Sequence, residues 1–463
     1  MKTYTFSDSK GNAGRRKGIS KEDEMSQSSL FVGKVNLFDE LCSVNNLAAG
    51  FQAVKKNKGS PGIDGVTLLY FEDRLYEELV QLQKELLSWS YQPSPVRRVE
   101  IPKPGKGAGV RLLGVPNIRD RVVHATLKNL LEPVLEPTFS EHSYGFRPGR
   151  SQRQAVESAQ RIVQKGKEYV VDIDLSKFFD GVNHDRVIHL LSLHIKDKRI
   201  LRLIGILLRS GVMLPGGEIQ TTETGTPQGS PLSPLLSNVV LDELDKELDR
   251  RGLEYCRYAD DCNIFVGSLK AAERVMESLS RFIEGTLKLK INREKSKVAL
   301  SRKVKFLGMT IINGTLAISR ESINRAMLKV RELTPRGTYQ TLEKTLERIN
   351  IWYIGWSGYY LMTQYPAQLQ KIEAHVRRRL RARVIGQQKR NRHLYKKLVS
   401  RGVSKSSAGR MVFSNRGRWA LSITFALSKA YPVRWFIQEK GQQIRSNSEL
   451  AHWFPLNQWI RVT

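Results

Sequence analysis

Two adjacent aspartates, Asp260 and Asp261, stand in the stretch RYADDCN, ahead of the short apolar run from Ile264 to Val266. Adjacent carboxylates repel each other, and a strand-like context removes part of their hydration. The plainest interpretation is a polar turn between two strands. The alternative is a site at which a bound cation offsets the repulsion.

A further carboxylate lies in KEYVVDIDLSKFFD, residues 167–180, whose alternation predicts a strand with Asp172 and Asp174 on one face. Carboxylates from separate chain segments can bind two Mg²⁺ ions about 3.5–4 Å apart, the arrangement used for nucleotidyl transfer. The candidate metal ligands are therefore Asp174, at a strand end, and Asp260 and Asp261, in a hairpin turn.

Between these segments, GTPQGSPLSPLLSNVVLDELDKEL, residues 225–248, predicts a loop that leads into a helix. A loop stiffened by proline and opened by glycine can approach a ligand closely. The order of strand aspartate, loop with helix, and aspartate hairpin is more specific than the pair alone. The apolar stripe of this helix recurs every four residues, at Leu236, Val240, Leu244 and Leu248.

The charge balance indicates a polyanionic partner. Lys and Arg number 76 against 45 Asp and Glu, a net charge of +31. Nucleic acid is the first candidate. A membrane surface is second, but the apolar stretch 199–214 is interrupted by arginines and too short to cross a bilayer. Three cysteines without a CxxC pair predict a reducing compartment and neither a disulfide framework nor a structural zinc site.

After about residue 320 the sequence predicts helices rich in aromatic residues and arginine. One of them has an apolar stripe at Ile372, Val376, Leu380 and Val384, and no acidic residue occurs from Val376 to Arg410. A solvated helix face is one interpretation, but an unbalanced cationic surface repels itself and favours contact with phosphates. The arginines expected to make that contact are Arg377, Arg378, Arg379, Arg381 and Arg383.

In order along the chain, these segments resemble reverse transcriptases, and most closely the reverse transcriptase/maturase proteins encoded by bacterial group II introns. The resemblance runs collinearly from about residue 30 to at least residue 425. The matching stretches are GSPGIDGVT (59–67), IPKPGKGAGVRLLGVP (101–116), YGFRPGRS (144–151), VDIDLSKFFDGVNHD (171–185), GTPQGSPLSPLLSN (225–238), YADD (258–261), LKINREKSK (289–297) and KFLGM (305–309).

The resemblance implies an α+β fold of the right-hand polymerase type. Relatives that cleave the second DNA strand carry an HNH endonuclease with cysteine pairs, and we expect this chain to be the form without it. The implied organisation is a flexible tail (1–29), fingers (30–165), a palm with an antiparallel sheet (166–315) and a finger-like insertion at about 185–224, an α-helical thumb or maturase X domain (316–425) and a short nucleic-acid-binding tail (426–463).

The catalytic residues implied by the resemblance are the same three aspartates. The first metal-binding aspartate of the family falls on Asp174, because the aromatic residue that follows it by five positions falls on Phe179. The paired aspartates fall on Asp260 and Asp261. Asp172 is then a strand neighbour rather than a ligand. Because the sequence DID has an aspartate at both positions, it leaves open which of the two is the ligand.

The resemblance also implies nucleotide-binding residues. Lys103 and Arg111 match cations that hold the triphosphate, with solvated loop charges as the alternative. Gln228 matches a glutamine beside the nascent base pair. Lys295 matches a lysine that protonates the leaving pyrophosphate, or is a surface lysine. Leu112 replaces a proline of the family pattern, which should change the stiffness of the loop more than its chemistry.

Two sets of aromatic residues have both a binding and a packing interpretation. Phe179 would clash with a 2′-hydroxyl and so select deoxynucleotides, or it is a core aromatic beside Phe178. Trp352, Trp356 and Tyr360 lie at i+4 spacing in a region that resembles the maturase domain, where aromatic residues can stack on bases. We expect these three to pack in the helical core and the nearby cations to bind RNA.

The resemblance implies an RNA-directed DNA polymerase that binds group II intron RNA, assists its splicing and copies it into cDNA from a DNA target or primer. Its substrates would be dNTPs, its cofactor two Mg²⁺ ions, and its location the bacterial cytoplasm, on the nucleoid when bound to target DNA, without a membrane partner. One alternative is an RNA-binding splicing factor with a vestigial polymerase. Another is a domesticated group II-like enzyme in defence or repair.

Overall fold

The structure is a computed structural model that describes residues 36–102, 109–176, 178–221, 223–226, 229–335, 337–388, 390–432 and 435. The predictions for the tail at 1–29, for Lys103, for Gln228 and for most of 426–463 lie outside the described residues.

Helices and short strands follow one another through the described residues. The helices are α1 (Leu37–Leu41), α2 (Val44–Lys56), α3 (Leu68–Asp73), α4 (Leu75–Leu87), α5 (Ile118–Leu135), α6 (Gln152–Gln164), α7 (Phe178–Gly181), α8 (His184–His194), α9 (Lys198–Leu208), α10 (Ser233–Arg250), α11 (Leu269–Gly285), α12 (Arg320–Leu333), α13 (Leu342–Tyr360), α14 (Pro366–Gln387), α15 (Asn391–Ser400), α16 (Lys405–Val412), α17 (Arg418–Leu421) and α18 (Phe425–Ala430). The strands are β1 (Val96–Pro102), β2 (Val110–Val115), β3 (Tyr169–Ile173), β4 (Val212–Met213), β5 (Ile219–Gln220), β6 (Glu254–Tyr258), β7 (Asp261–Val266), β8 (Lys297–Leu300), β9 (Met309–Ile312) and β10 (Thr315–Ile318). Within the part of the chain that is described, no helix is both long enough and apolar enough to cross a membrane.

The chain forms two compact units. The first contains the described residues of 1–137 and 182–233, and the second those of 138–181 and 234–463. Residues 185–224, expected as an insertion in the palm, thus share a unit with the N-terminal segment. The sheet of this first unit has the strand order β2-β1-β4-β5, with β1 antiparallel to β2 and parallel to β4.

A close contact between helices organises the first unit. α2 packs against α5, and Leu47, Phe51 and Val122 are buried there. Gly50 permits the approach, because a Cβ at this position would lie 2.2 Å from Thr126 Oγ1 and 2.9 Å from the Val122 carbonyl oxygen. Any side chain at position 50 would therefore push the two helices apart.

The second unit contains a sheet of four antiparallel strands in the order β6-β7-β3-β8. β3 lies inside this sheet, and Val170 and Val171 are both buried because both of its faces are covered. The strand ends at Ile173, two residues before the end of the alternation at Leu175, so Asp174 lies at the strand end as predicted. The strand ends there because Ser176 N–H donates to the Lys290 carbonyl at 2.7 Å, after which the chain enters α7.

The two amphipathic helices predicted from four-residue spacing are confirmed. α10 and α14 each bury their apolar stripe, and α14 contributes to a core shared with α12, α13 and the helices from α15 to α18. The buried stripe residues are Leu236, Val240, Leu244 and Leu248 on α10, and Ile372, Val376, Leu380 and Val384 on α14.

We expect Gly50→Ala to lower the free energy of unfolding by about 1–3 kcal/mol, because the added methyl group overpacks the contact between α2 and α5. Urea unfolding followed by circular dichroism measures the change. The matched control is Gly285→Ala in α11, where a Cβ would meet no atom within 4 Å. A Gly50→Ala protein as stable as the control would contradict the assignment of this contact.

Candidate active site

The two adjacent aspartates lie at a tight turn between β6 and β7, as the sequence predicted. Tyr258 pairs with Asp261 across the strands, which leaves Ala259 and Asp260 as the turn. Ala259 has a φ of 55°, a left-handed conformation that residues other than glycine adopt at a cost. Asp260 is exposed at the tip, whereas Asp261 begins β7 and is half-buried. The turn thus gives the pair two different environments.

Asp174 follows β3 directly and is held by its backbone. Its N–H donates to Ser296 Oγ at 3.0 Å, and its carbonyl accepts a hydrogen bond of 2.8 Å from the N–H of Asn292. Lys295 Nζ lies 3.6 Å from Asp174 Oδ2. The structure therefore brings together two residues, Asp174 and Lys295, that the sequence proposed for separate roles.

The pairing of β3 with β7 carries the aspartates to one edge of the sheet. Ile173 faces Cys262 in this antiparallel ladder. Asp174 comes directly after Ile173, and Asp261 comes directly before Cys262, so both aspartates lie at the same end of this ladder. The register of two strands far apart in sequence builds this part of the site.

The electrostatics at this edge are unfavourable for free carboxylates. Burial raises the pKa of Asp261 to about 7, and the negative charges of Asp172 and Asp260 add to the shift while Lys305 opposes it. Burial likewise raises the pKa of Asp172 to about 6, against the attraction of Lys297, whose Nζ lies 4.0 Å away. In the absence of a bound cation, the contribution of these two carboxyls to the free energy of unfolding therefore falls as pH rises from 3.8 through these values.

Asn263 is a site residue that sequence reasoning missed. Its Nδ2 donates to Asp261 Oδ1 at 3.0 Å, and it faces Asp172 across the ladder between β3 and β7. This bond holds one oxygen of Asp261 and leaves the other available. The two-residue period of β7 puts Asn263 on the same face as Asp261, which was the signal in the sequence that could have found it.

The donor set suits a hard divalent cation. Asp174, Asp260 and Asp261 offer only oxygen ligands, and a cation would offset both the burial that chiefly raises the pKa of Asp261 and the nearby charges of Asp172 and Asp260. In the described residues, no group of three or more His, Cys, Asp or Glu side chains is already close enough to hold a metal ion. The carboxylates are therefore neighbours at one edge without forming a closed ligand cage.

Phe179 lies in α7, the short helix that follows the Asp174 segment. Its ring meets the ring of Phe178 edge to face, with centroids 5.4 Å apart. Phe178 is buried, whereas Phe179 is half-buried. Phe178 is therefore the core aromatic, and Phe179 keeps part of its ring accessible. Its selection of deoxynucleotides stays a prediction.

The residues predicted to bind the nucleotide are distributed between the two units. Arg111 is exposed on β2 of the first unit, opposite Ile101 in the ladder with β1. Lys295 belongs to the second unit, beside Asp174. Lys103 and Gln228 lie outside the described residues.

The aromatic residues of α13 pack as expected. The rings of Trp352 and Trp356 stack at 5.9 Å, and those of Trp356 and Tyr360 stack at 4.5 Å. All three contact the buried cores of the second unit. Their packing role is confirmed, and the i+4 spacing of these rings reflects the helix core.

Several arginines of α14 turn inward and bind main-chain carbonyls or hydroxyls. Arg379 Nε donates to Thr334 Oγ1 at 2.8 Å, and Arg381 donates to the Tyr431 carbonyl through Nε at 3.0 Å and Nη2 at 2.8 Å. Arg383 is buried, with 9 % of its surface exposed. These guanidinium groups connect helices within the unit, in addition to any contact they make with a partner.

Arg377 and Arg378 are also engaged within the domain. Arg378 lies over the ring of Trp419, with its Cζ 3.8 Å from the centroid, and its Nε donates to Ser422 Oγ at 3.3 Å. Arg377 Nη1 lies 3.7 Å from Glu373 Oε2. The prediction of a cationic face on α14 left these partners out. Trp419 and Ser422 are distant in sequence, and Glu373 lies one helical turn from Arg377. Contact with RNA stays a prediction.

Comparison with known proteins identifies two matching families along the chain. The model described as reverse transcriptase (RNA-dependent DNA polymerase) matches residues 101–311. The model described as group II intron, maturase-specific domain matches residues 323–402. The first match contains the three aspartates, and the second contains α13, α14 and the start of the basic segment that follows them.

The chain is also similar to curated proteins and to solved structures. Protein YkfC of Escherichia coli (strain K12) is 34 % identical over 289 residues, which cover 54 % of this chain and 75 % of that protein. The group II intron-encoded protein LtrA of Lactococcus lactis subsp. cremoris is 28 % identical over 366 residues. The match covers 65 % of this chain and 59 % of LtrA. A chain of the partial Cas6-RT-Cas1–Cas2 complex is 26 % identical, with a TM-score of 0.35 over 54 % of this chain and 43 % of that one.

The aspartate hairpin, the strand aspartate beside it and the helical region after them lie in the order of the two family matches. Divalent-metal dependence is general among reverse transcriptases and agrees with the oxygen donors at this edge of the sheet. The chain belongs to the family of group II intron reverse transcriptase/maturase proteins, and its polymerase region is an RNA-directed DNA polymerase.

Proposed function

We propose that this protein copies group II intron RNA into cDNA by a two-metal nucleotidyl transfer, binds that RNA and assists its splicing. The observation that carries the catalytic part is the register of β3 with β7: Asp174 follows Ile173, and Asp261 precedes Cys262, the partner of Ile173. The match to the maturase-specific domain supports the part that concerns splicing. The complete carboxylate set disfavours a vestigial polymerase.

The reaction joins a deoxynucleotide to a DNA primer paired with RNA. The 3′-hydroxyl oxygen of the primer attacks the α-phosphorus of a dNTP, and a new O–P bond forms. The bond from this phosphorus to the oxygen that bridges it to the β-phosphorus breaks, and pyrophosphate leaves. The hydroxyl proton passes to solvent. Lys295, whose Nζ lies 3.6 Å from Asp174 Oδ2, would give a proton to the pyrophosphate and regain one from solvent.

Asp174, Asp260 and Asp261 would hold two Mg²⁺ ions, which supply charge stabilisation for the attacking and leaving oxygens. Asn263 keeps one Asp261 oxygen oriented through its 3.0 Å hydrogen bond. Lys297 and Lys305 offset part of the negative charge when cations are absent. Electrostatic preorganisation of this kind is commonly the largest contribution to the rate of phosphoryl chemistry.

Recognition of the nucleotide is assigned to the residues that the family resemblance implies. Arg111 is exposed and suited to bind phosphate oxygens, and we assign the same role to Lys103. Gln228 would contact the base pair being formed. The accessible part of the Phe179 ring would lie against the sugar and exclude a 2′-hydroxyl. The family resemblance supports these assignments.

For RNA binding, exposed cations after α14 are stronger candidates than the inward-turned arginines of that helix. No acidic residue occurs in the sequence between Glu373 and Glu439. Phe413 in the same segment is 67 % exposed and could stack on a base. We propose that these cations extend the contact assigned to Arg377, Arg378, Arg379, Arg381 and Arg383. The exposed cations are Arg390, Arg392, Lys396, Lys405, Arg410, Arg416, Arg418 and Lys429.

Replacing the exposed turn carboxylate, Asp260→Asn, should abolish dNTP incorporation on an RNA template with a DNA primer, because a metal ligand is lost. Filter binding should show unchanged affinity for RNA, since the metals serve the transition state. The matched control, Asp249→Asn, changes an exposed carboxylate of α10 and should keep full incorporation. Incorporation near the wild-type rate by Asp260→Asn would refute the assignment.

Phe179→Ala should let ribonucleotides enter the chain. Opening space beside the sugar should raise kcat/KM for rNTPs relative to dNTPs by about tenfold or more. Single-nucleotide extension assays on one primed template measure both substrates, so the dNTP value serves as the internal control. An unchanged ratio would mean that Phe179 does not select the sugar.

The triple variant Arg392→Gln, Lys396→Gln and Lys405→Gln should weaken binding of a labelled group II intron RNA and flatten its salt dependence. Each lost contact with a single-stranded phosphate should reduce the slope of log K against log salt by about 0.7. The control triple, Lys270→Gln, Arg274→Gln and Arg281→Gln, removes as many exposed cations from α11. Equal losses in the two triples would show that net charge alone governs binding.

A further inference from the structure

A fully buried arginine lies behind the catalytic turn. Arg257, on β6, is 0 % exposed, as is its partner Asp245 on α10. Arg257 Nε donates to Asp245 Oδ1 at 2.7 Å, and Nη2 donates to Oδ2, so the pair is bidentate. Replacing a buried ion pair with apolar residues is often neutral or stabilising, so such a pair is weak support for a purely stabilising role.

The remaining arm of this guanidinium reaches the turn. Arg257 Nη1 donates to the Ala259 carbonyl at 3.0 Å and to Asn238 Oδ1 at 3.1 Å. The Ala259 carbonyl belongs to the peptide group that begins Asp260. Arg257 therefore connects α10, through Asp245 and Asn238, to the peptide from which the exposed carboxylate projects.

The other side of the turn is closed by main chain. A Cβ on Gly145 would lie 2.3 Å from the Ala259 N atom, so this position tolerates only glycine without movement of the turn. Asn238 Nδ2 donates to the Gly145 carbonyl at 2.9 Å. The left-handed φ of Ala259 is thus held between the guanidinium of Arg257 and the backbone of Gly145. A strained residue persists only where its surroundings determine its conformation in this way.

We infer that Arg257 is a positioning residue for the metal-binding carboxylates: through the Ala259 carbonyl it sets the orientation of the turn that carries Asp260 and Asp261. This inference rests on the proposed two-metal polymerase. The planar guanidinium is required, because it binds the two Asp245 oxygens and the turn carbonyl at once. A lysine has the charge without that fixed geometry.

The positioning role of Arg257 depends on the geometry of its guanidinium group and not on the charge of the ion pair. Asp245 balances Arg257, and the charge of the turn region is little changed by a lysine at the same position. Arg257→Lys therefore separates geometry from charge. Partners that orient a metal ligand typically contribute 10–100-fold to metal affinity or activity.

The experiment compares Arg257→Lys with Tyr255→Phe in the full-length protein. Tyr255 lies on the same strand, and its hydroxyl lies 2.8 Å from Ser140 Oγ and 3.3 Å from the Asp245 carbonyl oxygen, with no bond to the turn. We expect Arg257→Lys to weaken Mn²⁺ binding, titrated by electron paramagnetic resonance without nucleic acid, by about 10-fold or more. We expect kcat for dNTP incorporation to fall similarly, with the dNTP KM and the RNA affinity within about twofold.

Asn238→Ala keeps the ion pair and removes the other partner of Arg257 Nη1, and it decides the question if Arg257→Lys does not fold. It should change Mn²⁺ affinity and kcat in the same direction to a smaller extent. The inference is overturned if these variants match Tyr255→Phe in Mn²⁺ affinity and kcat and differ only in unfolding temperature. A wild-type protein that incorporates no dNTP would instead refute the polymerase proposal, while the Mn²⁺ titration would still test the positioning role.

Discussion

The antiparallel pairing of β3 with β7 carries Asp172, Asp174 and Asp261 to one edge of a sheet, where their charges repel one another. Nearby cationic side chains offset this repulsion only in part. Lys297 and Lys305 offset some of the negative charge, and burial still keeps the pKa of Asp261 near neutrality. The negative charge that remains makes this edge suitable for divalent cations. The surrounding hydrogen bonds position the segments that carry these carboxylates.

Most of the hydrogen bonds at this edge hold the backbone rather than the carboxylates proposed to bind metal. Ser296 and Asn292 bind the main chain of Asp174, and Arg257 binds the main chain of the turn. Asn263 is the exception, since it holds a carboxylate oxygen directly.

Arginine serves two purposes in this chain, and net charge does not distinguish them. Arg257 and several arginines of α14 use their planar donors to connect elements inside the second unit. Others, among them Arg392 and Arg410, are exposed after α14. The net charge of +31 therefore overstates the cationic surface presented to nucleic acid. It indicates the class of partner without locating the contact.

The sequence by itself determined the features that depend on neighbouring residues: the hairpin at Asp260, the apolar stripes of α10 and α14, and a strand ahead of Asp174. The family motifs added the order of the catalytic residues. Tertiary structure alone decided the length of β3, the position of Asn263 opposite Asp172, the pairing of Arg257 with Asp245, and the inward direction of the α14 arginines. The physical reason is that periodicity follows from local backbone geometry, whereas strand register and the partner of a long polar side chain depend on packing between distant segments.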